Sequence, residues 1–145
     1  MALNLIKLCV GVDTAKELAD WIEVRLREKK ARGLPPEHTH TTRMVPKRVE
    51  ELLDGGSLYW VIRGEIACRQ RLTAIRPFVD SEGVGRCHLV LDPELVLVAP
   101  RPFRPFQGWR YLAAKDAPPD LDRAGAGLAA MPETLRRELR ELGLL

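Results

Sequence analysis

Gly55-Gly56-Ser57-Leu58-Tyr59-Trp60-Val61-Ile62-Arg63-Gly64-Glu65-Ile66-Ala67-Cys68-Arg69-Gln70-Arg71-Leu72-Thr73-Ala74-Ile75 holds most of the β-type sequence in this chain. Ser57 to Ile62 is aromatic and β-branched, which suits a pleated, half-buried surface. Arg63-Gly64 reads as a tight reversal, because glycine takes a positive φ without steric cost. On the return strand, strict alternation puts Ile66, Cys68, Leu72 and Ala74 on one side, with Gln70 as the polar exception. Glu65, Ala67, Arg69, Arg71, Thr73 and Ile75 fall on the other. Arg69 and Arg71 then share a face, either as a solvated sheet surface or as a pair of planar forks for phosphate or carboxylate.

Working outward, the rest of the chain supplies strands and helices for one α+β domain. With 145 residues it can bury a core without disulfides. Leu3 to Val12 reads as a central strand, apolar on both faces, with Gly11 as a bulge near its end. Asp13-Thr14 opens a helix to about Lys30, and Thr14-x-x-Glu17 has the capping-box spacing. Ala15, Leu18, Ala19, Ile22 and Leu26 form its apolar stripe; Gly33 and Pro35-Pro36 stop it. His38 and His40 read as exposed loop histidines, with Thr41 to Val45 as a short strand after them. Pro46 sits at the first position of a short helix over 47–53.

Beyond the hairpin, Arg76-Pro77-Phe78 leaves the strand and Asp80-Ser81-Glu82-Gly83 turns. Gly85 to Asp92 and Leu95 to Ala99 are further strands, separated by Asp92-Pro93. Pro100 to Leu112 contains three arginines and half of the chain's aromatic residues. Its prolines make it extended, and its arginine–aromatic interleaving suits base stacking and phosphate contact. The alternative is a stiff crossover whose aromatics plug the sheet while the arginines stay wet. Residues 120–130 read as a flexible linker and 131–145 as a C-terminal helix with Leu135, Leu139 and Leu142 along one stripe.

Function classes are narrowed mainly by what is missing. Lys and Arg total 23 against 20 acidic groups, so the net charge is only +3 and a nucleic-acid argument must rest on local clusters. No apolar run reaches the roughly 20 residues of a membrane span, and the start does not have the pattern of a signal peptide. Cys9, Cys68 and Cys87 read as buried free thiols in a reducing cytoplasm. There is no phosphate-binding glycine loop, nucleophile elbow or zinc-protease motif, so no catalytic residue, metal site or cofactor is assigned.

Leu5-Ile6-Lys7-Leu8-Cys9-Val10-Gly11-Val12, Thr42-Arg43-Met44-Val45-Pro46-Lys47-Arg48, Gly55 to Ile62, Leu89-Val90-Leu91-Asp92-Pro93-Glu94-Leu95 and Pro105 to Leu112 resemble a bacterial family of unknown function, the one numbered 1489. That resemblance covers nearly the whole chain and implies no activity. The order of the Gly-Gly turn, the hairpin and the Asp-Pro strand is more loosely similar to PUA-like barrels of the ASCH and EVE type. This second resemblance implies an open, curved, mostly antiparallel barrel with flanking helices, and a cleft for RNA or a modified base.

The sequence-level expectation is a cytoplasmic binding module, monomer or homodimer, for RNA or a modified nucleotide. Arg43, Lys47, Arg48, Arg69, Arg71, Arg104 and Arg110 would contact phosphates, and Tyr59, Trp60, Trp109 or Tyr111 would stack on a base. One alternative is a binder or enzyme for a phosphorylated or carboxylate metabolite, with Glu65 or His88 as acid/base. Another is an interaction protein that uses its last helix.

Overall fold

The computed structural model describes residues 3–121. The expected 131–145 helix and nearly all of the expected linker lie outside the described residues. Among the described residues, seven strands and two α-helices follow one another as β1 (Asn4–Leu8), α1 (Ala15–Ala31), β2 (His38–Thr42), α2 (Val49–Leu53), β3 (Ser57–Ile62), β4 (Glu65–Val79), β5 (Gly85–Leu91), β6 (Val96–Pro102) and β7 (Trp109–Leu112). The class is α+β, and the sheet is open and mostly antiparallel, with β1 and β3 the one parallel pair among the described strands.

The hairpin organises the sheet. Ile62 pairs with Glu65, so the loop is Arg63-Gly64 alone. Both loop residues have positive φ, 51° and 78°, which matches the twist of the flanking strands. The return strand runs on through Arg76, Pro77 and Phe78 to Val79, rather than ending before them. That length lets β4 serve several partners. One edge takes β3; along the other, β6 pairs near Glu65 to Arg69 and β5 from Leu72 onward. β2 then adds to β5, giving the order β2-β5-β4-β3-β1-β7.

Two bulges change which side chains face inward. Trp60 pairs with Cys68 and Val61 with Ile66, which leaves Ala67 as an extra residue. Ile66 therefore joins the Tyr59, Val61 and Val98 cluster, while Cys68 faces the opposite side. Strict alternation had placed Ile66 and Cys68 together. A second shift between Leu72 and Ala74 turns Ile75, expected outward, toward the core. A one-residue slip in a strand reverses every side chain beyond it.

Apolar residues pack on both faces of the sheet. Leu5, Leu58, Trp60, Leu72 and Leu89 lie under Leu18 and Ile22 of α1 and Leu52 of α2. Ile6, Tyr59, Val61, Ile66 and Val98 pack with Phe106 and Leu112 on the other face. The α1 start has the expected cap: Glu17 N–H donates to Thr14 Oγ1 at 3.1 Å. The reciprocal bond reaches one residue further back, from Asp13 N–H to Glu17 Oε2 at 3.1 Å. At its end, Gly33 N–H bonds Lys30 O and Leu34 N–H bonds Lys29 O, with Gly33 at φ 71°. That pairing satisfies two orphan carbonyls.

Several local expectations are corrected. β1 ends at Leu8, and Gly11 lies in the turn beyond it at φ 91° rather than in a strand bulge. Pro46 is buried ahead of α2 and does not start it; Arg48 is the N-cap. His38 and His40 lie on strand β2, with His38 only 3% exposed, because β2 pairs in full register with β5. The strand expected at Thr41 to Val45 is this one, shifted toward the N-terminus. Cys68 and Cys87 are buried and Cys9 is half-buried.

Candidate functional site

Cross-strand register divides the anticipated binding residues between two faces. Arg110 opposes Ile6, Ile6 opposes Tyr59, and Tyr59 opposes Arg69, so this row points to one side. Tyr111, Leu5 and Leu58 make the next row, and Trp109, Lys7 and Trp60 the one after that. Tyr111 and Trp109 therefore face the helices, away from Arg110 and Arg69. The single basic, aromatic cleft expected from composition is not one surface.

One corner does join sequence-distant members of the set. Lys47 N–H and Arg48 N–H both donate to the Tyr111 hydroxyl, at 3.0 and 3.3 Å. The Arg48 guanidinium lies 5.6 Å from the Tyr111 ring centre and also pairs with Glu51. Trp109 meets Tyr111 edge-on at 4.9 Å and donates its indole N–H to Met44 O at 2.8 Å. Trp109 is buried and anchors the corner; Tyr111, Arg43, Lys47 and Arg48 are exposed.

On the other face, Arg69 is already engaged. Its Nε and Nη2 hold the Asp120 carboxylate at 2.8 and 2.6 Å, and Nη1 donates to Ser57 Oγ at 3.0 Å. Arg69 and Asp120 are both mostly buried, and with Asn4, Ser57, Tyr59 and Pro119 they line a cavity of about 390 Å³. Tyr59 is buried, which raises its hydroxyl above the usual phenol range. Arg71 is exposed on this side of the sheet, opposite Ser57. Arg110 is exposed and lies over Phe106 at 4.8 Å, and Arg104 is exposed on the same segment.

The two alternative acid/base residues lie at opposite ends of β4. Glu65 is at the hairpin loop, opposite Pro102. His88 opposes Arg76, near the far end of β4, where its ring stacks on Phe78 at 4.2 Å.

A third site was not anticipated. His38, His40, Trp60 and Trp21 line a cavity of about 330 Å³ with Lys7, Leu8, Cys9, Val12 and Leu18. Gln70, the polar exception on the apolar face, sits behind it, fully buried. Trp60 N–H donates to Gln70 Oε1 at 2.9 Å, and Gln70 Nε2 contacts Asp92 O at 3.0 Å and His38 Nδ1 at 3.1 Å. Trp60 is therefore a buried wall with its indole N–H spent internally, not an exposed stacking platform. Trp21 meets His38 edge-on at 5.7 Å, and Trp60 meets His40 edge-on at 5.2 Å.

Burial keeps the two imidazoles neutral. His38 is pushed down to about 4 by burial, then by the Lys29 and Arg25 charges. His40 is pushed down to about 4 by burial, then by Lys7 and His38. The same desolvation lowers Lys7 and raises the Cys9 thiol to about 11. The alternate His38/His40 spacing and the isolated Gln70 were the sequence signals for this site. They became legible only with β2 paired to β5.

The described fold and these sites define an α+β protein built on an open, forked sheet, with a basic aromatic corner and a two-histidine cavity. The chain belongs to the family described as Protein of unknown function (DUF1489), whose model matches residues 5–145. No curated protein and no solved structure matches it.

Proposed function

We propose that this protein is a binding module for RNA or a modified nucleotide, and that the corner formed by Arg43, Lys47, Arg48 and Tyr111 is where it makes contact. The observation that carries the reading is the exposed Tyr111 ring, 37% accessible and locked in place by two backbone N–H groups. A stacking platform must be both rigid and open, and an Arg beside it adds cation–π and phosphate contact. Arg43 and Lys47 are exposed on the same segment, ahead of α2. The PUA-like reading of the fold belongs to the same proposal: the open, mostly antiparallel sheet and the helices across it support it.

The test is fluorescence anisotropy with a pool of short single-stranded RNAs over a range of salt. Binding that weakens with salt, and that Tyr111→Ala and the Lys47→Ala/Arg48→Ala pair each reduce, is the expected outcome. Binding indifferent to salt, or unchanged in both variants, would remove the corner from consideration.

A further inference from the structure

The cavity between the end of β1, α1, β2 and β3 contains an unmet hydrogen-bonding demand. His38 Nε2 and His40 Nε2 are both buried and unpartnered. Buried polar atoms are rarely left so, and each one calls for an explanation. Empty space alone does not give one, because donors facing an apolar void cost stability.

The Gln70 network sets what His38 offers. An indole N–H only donates, so Gln70 Oε1 must face Trp60. Gln70 Nε2 then has two hydrogens, and Asp92 O and His38 Nδ1 are their acceptors. With Nδ1 accepting, the neutral ring carries its proton on Nε2. His38 therefore carries a fixed N–H on the ring edge away from Gln70, and its ring forms part of the cavity wall. Among the described residues, no group of three or more His, Cys, Asp or Glu side chains is placed to hold a metal ion. A protonated ring nitrogen offers no lone pair to a metal, so it calls for a hydrogen-bond acceptor.

The walls limit the shape. Trp21 and Trp60 bound the cavity, and Leu8, Val12 and Leu18 complete its apolar lining. About 330 Å³ is at the small end of ligand sites. The mouth is bordered by exposed apolar side chains, Val10 at 90% and Trp21 at 45% accessibility. Lys7 lines the same space, and its charge acts on His40.

We propose that this cavity binds a small planar ring compound that presents a hydrogen-bond acceptor to His38 Nε2–H and turns its electronegative edge toward Lys7. The inference does not depend on the RNA reading, since the Tyr111 corner lines no part of this cavity.

Full-length protein is titrated with 2-pyridone, nicotinamide and uracil, with toluene as a ring that lacks an acceptor. Tryptophan fluorescence and the imidazole ¹H–¹⁵N resonances report binding. An acceptor-bearing ring is expected to move the His38 Nε2 resonance and to bind about tenfold more tightly than toluene. His38→Phe should reduce its binding to the toluene level. Because that change also strands Gln70 N–H, Val12→Phe provides an independent test: it fills the cavity, leaves the network intact and should abolish binding. Equal affinity for toluene and all three probes, retained binding in Val12→Phe, or no response to any probe overturns the proposal. A response of both imidazoles to Zn²⁺ alone, with none to the rings, overturns it as well.

Discussion

Gly56 shows how little room some positions leave. A Cβ built there would lie 2.2 Å from Leu3 O and 2.3 Å from Leu52 O. The Leu52 carbonyl cannot move freely, since it already accepts the Gly56 N–H at 2.9 Å. Gly56→Ala is expected to destabilise by about 2–3 kcal/mol, read as a lower urea midpoint at unchanged m-value. Arg63 is the opposite case. It is the one non-glycine with positive φ among the described residues, at 51°, in a loop where asparagine is favoured. Arg63→Asn should stabilise by about 0.5 kcal/mol in the same measurement. The buried histidines set a pH dependence. Their folded values near 4 lie below the ordinary 6.5, so the unfolded chain binds more protons between those limits. Stability should hold above pH 6.5 and fall as pH drops toward 4. At pH 5 the loss is about 1–2 kcal/mol per imidazole. Urea melts at pH 7.5 and pH 5 measure it, and a double His38→Gln/His40→Gln variant should flatten the slope.

At the scale of elements, the Arg69–Asp120 pair ties the chain that follows β7 back onto the sheet. Val98 bridges to Asp120, and Ala99 N–H donates to Pro119 O at 2.9 Å. Arg69→Ala leaves a mostly buried carboxylate without its bidentate partner and should cost about 2–3 kcal/mol. Hydrogen exchange at Ala99 should speed up with it, while exchange in the β2–β5 ladder should not. Uniform acceleration across the sheet would mean the pair stabilises the whole fold rather than this attachment. Sequence reading found Arg69 but not its use, because Asp120 lies 51 residues away, at the start of an expected linker. The hairpin and α1 were legible for the converse reason. Their signals, a Gly-bearing turn between β-type runs and a capping residue three positions before its partner, lie within a few residues of each other.

For the molecule as a whole, function depends on how the sheet distributes its charges. Three exposed cations and Tyr111 share one corner, while Arg69, Arg71 and Arg110 face away from it. If the corner holds RNA, removing Lys47 and Arg48 should lower the slope of log K against log salt by about 1.4, the loss of two phosphate contacts. Removing Arg104 and Arg110 should leave it unchanged. Anisotropy over a salt series separates the two. A common effect of both pairs would instead indicate diffuse attraction to the net charge.

The sequence by itself determined the α+β class, the hairpin and its two-residue loop, the capped helix, the burial of Cys68 and Cys87 and the family. Each of these follows from local periodicity, turn chemistry or distinctive strings. Only the tertiary structure decided which face each β4 side chain takes, since the extra residues at Ala67 and Thr73 reverse the alternation and carry no mark of their own. It also decided that the expected cleft is two surfaces, and that His38 and His40 lie on a strand rather than in a loop and line a cavity. Side-chain exposure is a property of what packs against a strand, and for β2 that partner comes from 45 or more residues further along the chain.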